Sequence, residues 1–326
     1  MQDNQAGERT VSINSAGNTL QATLTLPTRK DESEEQQTDI PVACVLFLAD
    51  NGPLDRNQNS MHAQLNIYNQ LANYLAESGI ASLRHDKRGC GLSEGKFDST
   101  GHLDLVEDAQ RWLDYLTGEP QLQSVPLFVM GQGEGGLIAA QLCAANSHVQ
   151  GQILLTPFVE NYEILIRRQA ENALREIAIL EGFKGKLIRF FVRLGGDQLA
   201  KQKKLIARIM KSRRPTIKVR KQIINAKWIR EMIQLDASAL YAKTQVPTLI
   251  IGGQKDLQCQ PEDVDTIASL IKAPVDAQIV DDLTHILRAD PDEPSVQHYL
   301  QLSIEDVDER VLKHASQWIH GQLAVS

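Results

Sequence analysis

Cysteine is scarce in this sequence and apolar runs are short. The 326 residues include only Cys44, Cys90, Cys143 and Cys259, far apart and with no CxxC pair. That excludes a disulfide frame and a cysteine zinc site, and it points to reduced thiols. No apolar stretch approaches the roughly 20 residues that a membrane-spanning helix needs. The first ten residues have no apolar core, so no signal peptide is expected and the chain reads as cytoplasmic. The histidines outside the candidate site (His62, His85, His102, His148, His298, His314 and His320) show no metal-ligand spacing. Neither a metal nor a cofactor is expected. There is no internal repeat.

Against these absences stands an ordinary globular composition, 42% hydrophobic and 23% charged. The length suffices for one large domain with an insertion. Charge is distributed unevenly. Residues 161–235 hold 19 of the 34 Lys and Arg but only 6 of the 41 Asp and Glu, which marks them as a separate structural unit. Nucleic acid is excluded as a partner, because the remainder is strongly acidic and no binding motif is present. The basic stretch 201–214 is amphipathic and reads first as a solvated face. Attraction of an anionic small-molecule substrate is the second reading, and contact with an acidic membrane surface is the weaker third.

Hydrophobic patterning gives the architecture. Residues 10–14 and 19–26 alternate apolar and polar around a Ser15, Ala16, Gly17, Asn18 turn, as a half-exposed hairpin does. Residues 29–38 are polar and acidic and read as a loop. Apolar strands at 44–48, 80–84, 126–130 and 149–155 then alternate with helices at 65–78, 103–116 and 137–145. This is the pattern of a parallel sheet covered on both faces. The basic segment has a helical period, with Ile166, Ala170, Leu174, Ile177 and Leu180 on one stripe. Further helices are expected at 187–194 and 201–211, and Pro215 marks a break. The sheet resumes at 246–251 and 276–280, with helices at 261–271 and 304–321. The expected fold class is α/β: a mostly parallel, doubly wound sheet in two parts, 1–157 and 237–326, with a helical cap inserted at 158–236.

The turn Gly131-Gln132-Gly133-Glu134-Gly135-Gly136 follows a strand and opens a helix. It contains GxGxxG, the dinucleotide fingerprint, but that turn usually opens its domain, and here several strands precede it. The other reading is a nucleophile elbow, GxSxG, with glycine in place of the central serine. Gly133 then stands at the nucleophile position, with Gly131, Gly135 and Gly136 as the small neighbours. Chain order decides between the readings, because Asp256 and His285 each follow a late strand in the order nucleophile, acid, histidine. Asp281 and Asp282 are rivals for the acid but sit on the strand end itself. Cys259 as a substitute nucleophile is a remote reading, and Asp86 and Arg88 read as loop-bracing ions.

With these residues in view, the chain resembles the α/β-hydrolase superfamily, most closely bacterial carboxylesterases with a serine-peptidase-like helical cap. The segment 48–60, with Asp50, Asn51, Gly52 and Pro53, is similar to that group's oxyanion loop, and 83–93 resembles its Asp-Lys-Arg-Gly-x-Gly-x-Ser signature. The resemblance implies Asp256 as the orienting acid and His285 as general base, with an oxyanion hole from the backbone N–H groups of Glu134 and Asn51. The chain departs from the pattern at Gly133, which lacks the serine oxygen, and at Asp50, where the group has glycine and a negative charge now faces the oxyanion site.

Three functions follow as expectations. The first is an esterase-like enzyme whose His285–Asp256 dyad acts as general base on a small ester or carbonyl substrate, by direct hydrolysis, elimination or cyclisation. The second is a non-catalytic ligand-binding protein. The third is a serine carboxylesterase whose serine was replaced by engineering.

Overall fold

The alternation of the first thirty residues becomes an antiparallel ladder between β1 (Ala6–Ser15) and β2 (Asn18–Lys30). Its two turn residues, Ala16 and Gly17, have φ of 46° and 78°, the positive values that a tight hairpin turn requires. The structure is a computed structural model and describes residues 6–30, 36–38 and 40–325. The loop expected at 29–38 is corrected at both ends. β2 runs on to Lys30 and pairs with β3 (Gln36–Thr38), while residues 31–35 lie outside the described residues. Edge pairing needs backbone groups and not apolar side chains, so a polar composition hid it.

The other strands of the main sheet are β4 (Ala43–Leu48), β5 (Ile80–His85), β6 (Leu127–Gln132), β7 (Val149–Leu155), β10 (Thr248–Gly253) and β11 (Val275–Val280). Their order is β1-β2-β5-β4-β6-β7-β10-β11, antiparallel through β2–β5 and parallel from β5 onward. β4, β5, β6 and β10 are buried along their whole length, as continuous apolar runs require when both faces are covered. On one face Val45, Phe47, Phe128, Ile153 and Ile251 pack against α1 (Ile67–Glu77) and α11 (Glu309–Val325). On the other lies α3 (Glu134–Ala145), whose Gly136 approaches Leu154. The core also includes α2 (His102–Gly118), α8 (Ala237–Tyr241), α9 (Asp263–Leu270) and the short α10 (Tyr299–Leu302).

A second compact unit comprises Asp98–Leu103 and Glu160–Asp236. It holds α4 (Tyr162–Ile179), α5 (Gly182–Leu194), α6 (Gln198–Lys211) and α7 (Ala226–Gln234). Side chains of Asn161, Asp197 and Asn225 cap α4, α6 and α7 by accepting backbone N–H bonds of 3.0, 2.9 and 3.0 Å, as N-cap residues do. Three features of this unit were not expected, the helix α7 among them. After Pro215 the chain forms a hairpin, β8 (Thr216–Val219) with β9 (Gln222–Asn225), whose four-residue strands are too short for a reliable period. The segment 98–103 belongs here because Thr100 O accepts a 2.6 Å bond from Asn225 and the Leu103 N–H donates to Glu231 at 3.0 Å. Among the described residues no helix is long and apolar enough to cross a membrane.

Candidate active site

The parallel strands deliver four loops to their C-terminal ends, where α/β sheets bind ligands. Asp50 follows β4, Gly133 follows β6, Asp256 follows β10 and His285 follows β11. Gly133 makes the strand-to-helix turn with φ 49° and ψ −113°, a region that side chains seldom occupy. Its neighbours must also be small. A Cβ on Gly131 would lie 2.1 Å from Gly135 O, and one on Gly135 would lie 1.9 Å from Leu48 O. Gly136 is different, since a Cβ there would meet nothing nearer than 3.5 Å.

The space beside Gly133 is taken by Asp50. A Cβ at Gly133 would come within 1.9 Å of Asp50 Oδ1. That oxygen accepts the backbone N–H of Asn51 at 2.6 Å and of Glu134 at 3.2 Å. These are the two expected oxyanion donors, and the structure brings them together on a carboxylate. The other oxygen, Oδ2, lies 2.8 Å from His285 Nε2. Asp50 therefore occupies both the anion cradle and the histidine's outer nitrogen. Sequence reading noted Gly133 and Asp50 as separate departures. Their steric coupling was missed, although an added acid in the same chain as a missing hydroxyl was the available signal.

On its inner side, His285 Nδ1 bonds Asp256 Oδ2 at 2.8 Å. Asp256 Oδ1 accepts the N–H groups of Gln258 and Cys259 at 2.7 and 2.9 Å, so the acid is fixed at both oxygens. A chain of buried amides ties the loops together. The Asp50 N–H donates to Gln58 Oε1 at 3.2 Å, Gln58 donates to Gln132 at 2.9 Å, and Gln132 donates to His285 O at 2.6 Å. None of these glutamines was singled out from sequence, because amides carry no motif.

Electrostatics follow from the geometry. Burial opposes a charged imidazole, but the carboxylates of Asp256 and Asp50 outweigh it and hold the His285 pKa well above the ordinary histidine value. With both nitrogens facing carboxylates, the resting ring is an imidazolium that donates from each. The folded-state pKa is raised, so this contribution to stability is complete below the unfolded value of about 6.5 and is lost as pH rises through the folded value. The stability advantage of the wild type over Asp50→Asn is thus expected to shrink above about pH 6.5. Urea unfolding of both proteins across that range checks it.

Beneath the cradle, Lys87 Nζ donates to Asp50 O and lies 3.3 Å from the Glu134 carboxylate. Both side chains are buried, Glu134 completely. This cation braces the two segments that supply the cradle. Removing one partner of a buried pair costs about 3–5 kcal/mol, so Lys87→Met should lose that much unfolding free energy in urea titrations.

The remaining candidates sit elsewhere or play other parts. Asp86 grips Arg56 through both oxygens at 2.6 and 3.1 Å, and Arg88 grips Asp108 at 2.5 and 3.0 Å, so both brace loops. Asp282 pairs with Lys255 at 2.9 Å. The Cys259 thiol is pushed up to about 12 by burial and then by Asp256, which leaves it no nucleophilic thiolate. Among the described residues, two groups have ligand atoms close enough to share a metal ion, namely Asp256, Cys259 and His285, and also Asp290, Asp292 and His298. In the first, the acid and imidazole are already bonded to each other as an orienting pair.

Comparison with known proteins agrees with this architecture. Residues 59–292 match the family described as serine aminopeptidase, S33, and the chain belongs to that family. It is similar to esterase EstD of Thermotoga maritima, at 21% identity over 292 residues, covering 86% of this chain and 62% of the esterase. Its fold resembles that of Est1E from Butyrivibrio proteoclasticus, a structure with ferulic acid bound, with a TM-score of 0.63 at 16% identity over 96% and 99% of the two chains. It also resembles the α/β hydrolase GrgF from Penicillium sp. sh18, with a TM-score of 0.59 at 16% identity over 98% and 99%. The fold is that of an α/β-hydrolase, and the chain spans about 62% of the length of the esterase it matches.

Proposed function

We propose that this chain is an enzyme of the hydrolase class that works without a serine nucleophile, with His285 and Asp256 moving protons at a small ester- or carbonyl-type electrophile. The observation that carries the reading is the 2.8 Å His285–Asp256 bond, with the second oxygen of Asp256 held by two backbone N–H groups. A protein that only binds needs no such fixed acid–imidazole pair. His285 begins as an acid, because Asp50 and Asp256 keep it protonated. Once Nε2 has given its proton away, it becomes the general base that activates water. An esterase among the relatives supports the substrate class, and the basic composition of residues 161–235 supports an anionic substrate.

One observation favours a second reading, a ligand-binding protein, since Asp50 already fills the cradle that an ester's oxyanion would use. The same contact argues against an engineered loss of serine. A serine Cβ at 133 would overlap Asp50 as it lies here, so aspartate and glycine belong together. The test is turnover of a panel of p-nitrophenyl esters, lactones and small epoxides by wild type and His285→Ala. Turnover that depends on His285 supports the enzyme. A bound ligand recovered unchanged from wild type supports the receptor.

A further inference from the structure

We propose that Asp50 is the nucleophile, displaced from the elbow to the neighbouring loop, and that its substrates are strained cyclic ethers, epoxides, which it opens to diols. This inference rests on the proton-transfer role of His285 proposed above, adds the group that forms the covalent bond, and puts an epoxide in place of the ester- or carbonyl-type substrate.

Three contacts lead to it. Asp50 Oδ2 faces His285 Nε2 at 2.8 Å, the relation that an attacking oxygen bears to its proton-transfer partner. Asp50 Oδ1 lies in the cradle made by the Asn51 and Glu134 N–H groups, at 2.6 and 3.2 Å. Gly133, lacking a Cβ, leaves the room for this carboxylate. A cradle for developing negative charge stabilises whichever oxygen acquires that charge, and here that oxygen belongs to Asp50. The oxyanion served by this site is therefore the one that forms when an ester of Asp50 is itself hydrolysed.

The substrate class follows from the proton. Attack by Asp50 on an ester carbonyl would give an acid anhydride and a substrate oxyanion with no cradle, because Oδ1 occupies it. A halide leaves without needing a proton, and His285, only 3% exposed, would remain an imidazolium unable to activate water. The ring oxygen of an epoxide needs a proton as it leaves, and Nε2–H supplies one beside the attacking atom.

The steps balance. Oδ2 bonds to an epoxide carbon as the ring C–O bond breaks, and the ring oxygen takes the Nε2 proton. The result is a hydroxyalkyl ester of Asp50 and a neutral imidazole. Nε2 then takes a proton from water, whose oxygen attacks Cγ of Asp50, and the carbonyl electrons move onto Oδ1 between the Asn51 and Glu134 N–H groups. Oδ1 re-forms the carbonyl, the Cγ–Oδ2 bond breaks, and the released alkoxide takes the proton of the new carboxylic acid. Carboxylate and imidazolium are restored, and the net reaction is epoxide plus water to diol.

The test uses the intact protein in excess over styrene oxide, in water enriched in oxygen-18, with a single turnover. The proposal expects unlabelled diol and one oxygen-18 in the peptide containing Asp50. It also expects Asp50→Asn to lose turnover on the order of 10⁴-fold, and His285→Ala to lose diol and adduct together, because the ring oxygen then has no proton donor. Label appearing directly in the diol, with none in Asp50, would overturn the nucleophile while leaving His285 as general base. No diol and no adduct from wild type, with esters turned over in a His285-dependent way, would overturn this inference and leave the proposed function standing.

Discussion

Gly133→Ser alone is expected to leave the protein unreactive toward a serine-directed fluorophosphonate and inactive on p-nitrophenyl esters. The serine oxygen would be back at the elbow, beside a histidine already oriented by Asp256. Yet its Cβ would lie 1.9 Å from Asp50 Oδ1, and the carboxylate would have to abandon the bonds it accepts from Asn51 and Glu134. Overpacking of this kind costs about 1–3 kcal/mol, and the displaced negative charge still faces the place where an oxyanion must form. Asp50→Gly combined with Gly133→Ser removes both obstacles. That double variant should label with the fluorophosphonate and hydrolyse short esters, whereas the wild type should do neither. Intact-protein mass spectrometry after labelling reads the result for all three proteins. Labelling of Gly133→Ser without the second change would show that Asp50 yields the site freely.

His285→Ala is expected to reduce turnover by about 10²–10⁴-fold, the ordinary contribution of a positioned acid or base. The variant also leaves the carboxylates of Asp50 and Asp256 without the imidazolium between them, so His285→Gln serves as a second form with a smaller structural cost. If the protein were a receptor, either change would alter affinity only through a lost contact, by about 1 kcal/mol. Product analysis and calorimetry on the same ligand separate the outcomes. Turnover surviving in a folded His285→Gln variant would remove the histidine from the chemistry.

Much of this site could be read before the structure, for definite reasons. His285 and Asp256 were legible because each follows one of the last two strands of the sheet, in an order that the chain itself displays. Gly133 was legible because a glycine-rich turn between β6 and α3 has few explanations. The contact between Asp50 and His285 was not, since 235 residues separate them and no spacing rule links their loops. The amide chain through Gln58 and Gln132 was hidden for the same reason. In the fold, continuous apolar strands announced the parallel sheet. The polar edge pair β2–β3 and the β8–β9 hairpin were invisible, because backbone pairing at an edge, or over four residues, leaves little hydrophobic pattern. The 98–103 segment joined the helical unit through bonds to Asn225 and Glu231, contacts that composition cannot signal.

Central to the account is that Asp50 has taken the serine's place as the partner of His285. The most direct measurement is the protonation state of that ring, followed by nitrogen-15 NMR of labelled histidine across pH in wild type and Asp50→Asn. Because Asp256 and Asp50 together hold the His285 pKa well above the ordinary value against the opposing effect of burial, both ring nitrogens should carry protons at pH 7 and beyond. In Asp50→Asn, Nε2 should lose its proton at distinctly lower pH. A ring that titrates near the unperturbed value of about 6.5, with no response to Asp50→Asn, would contradict the account.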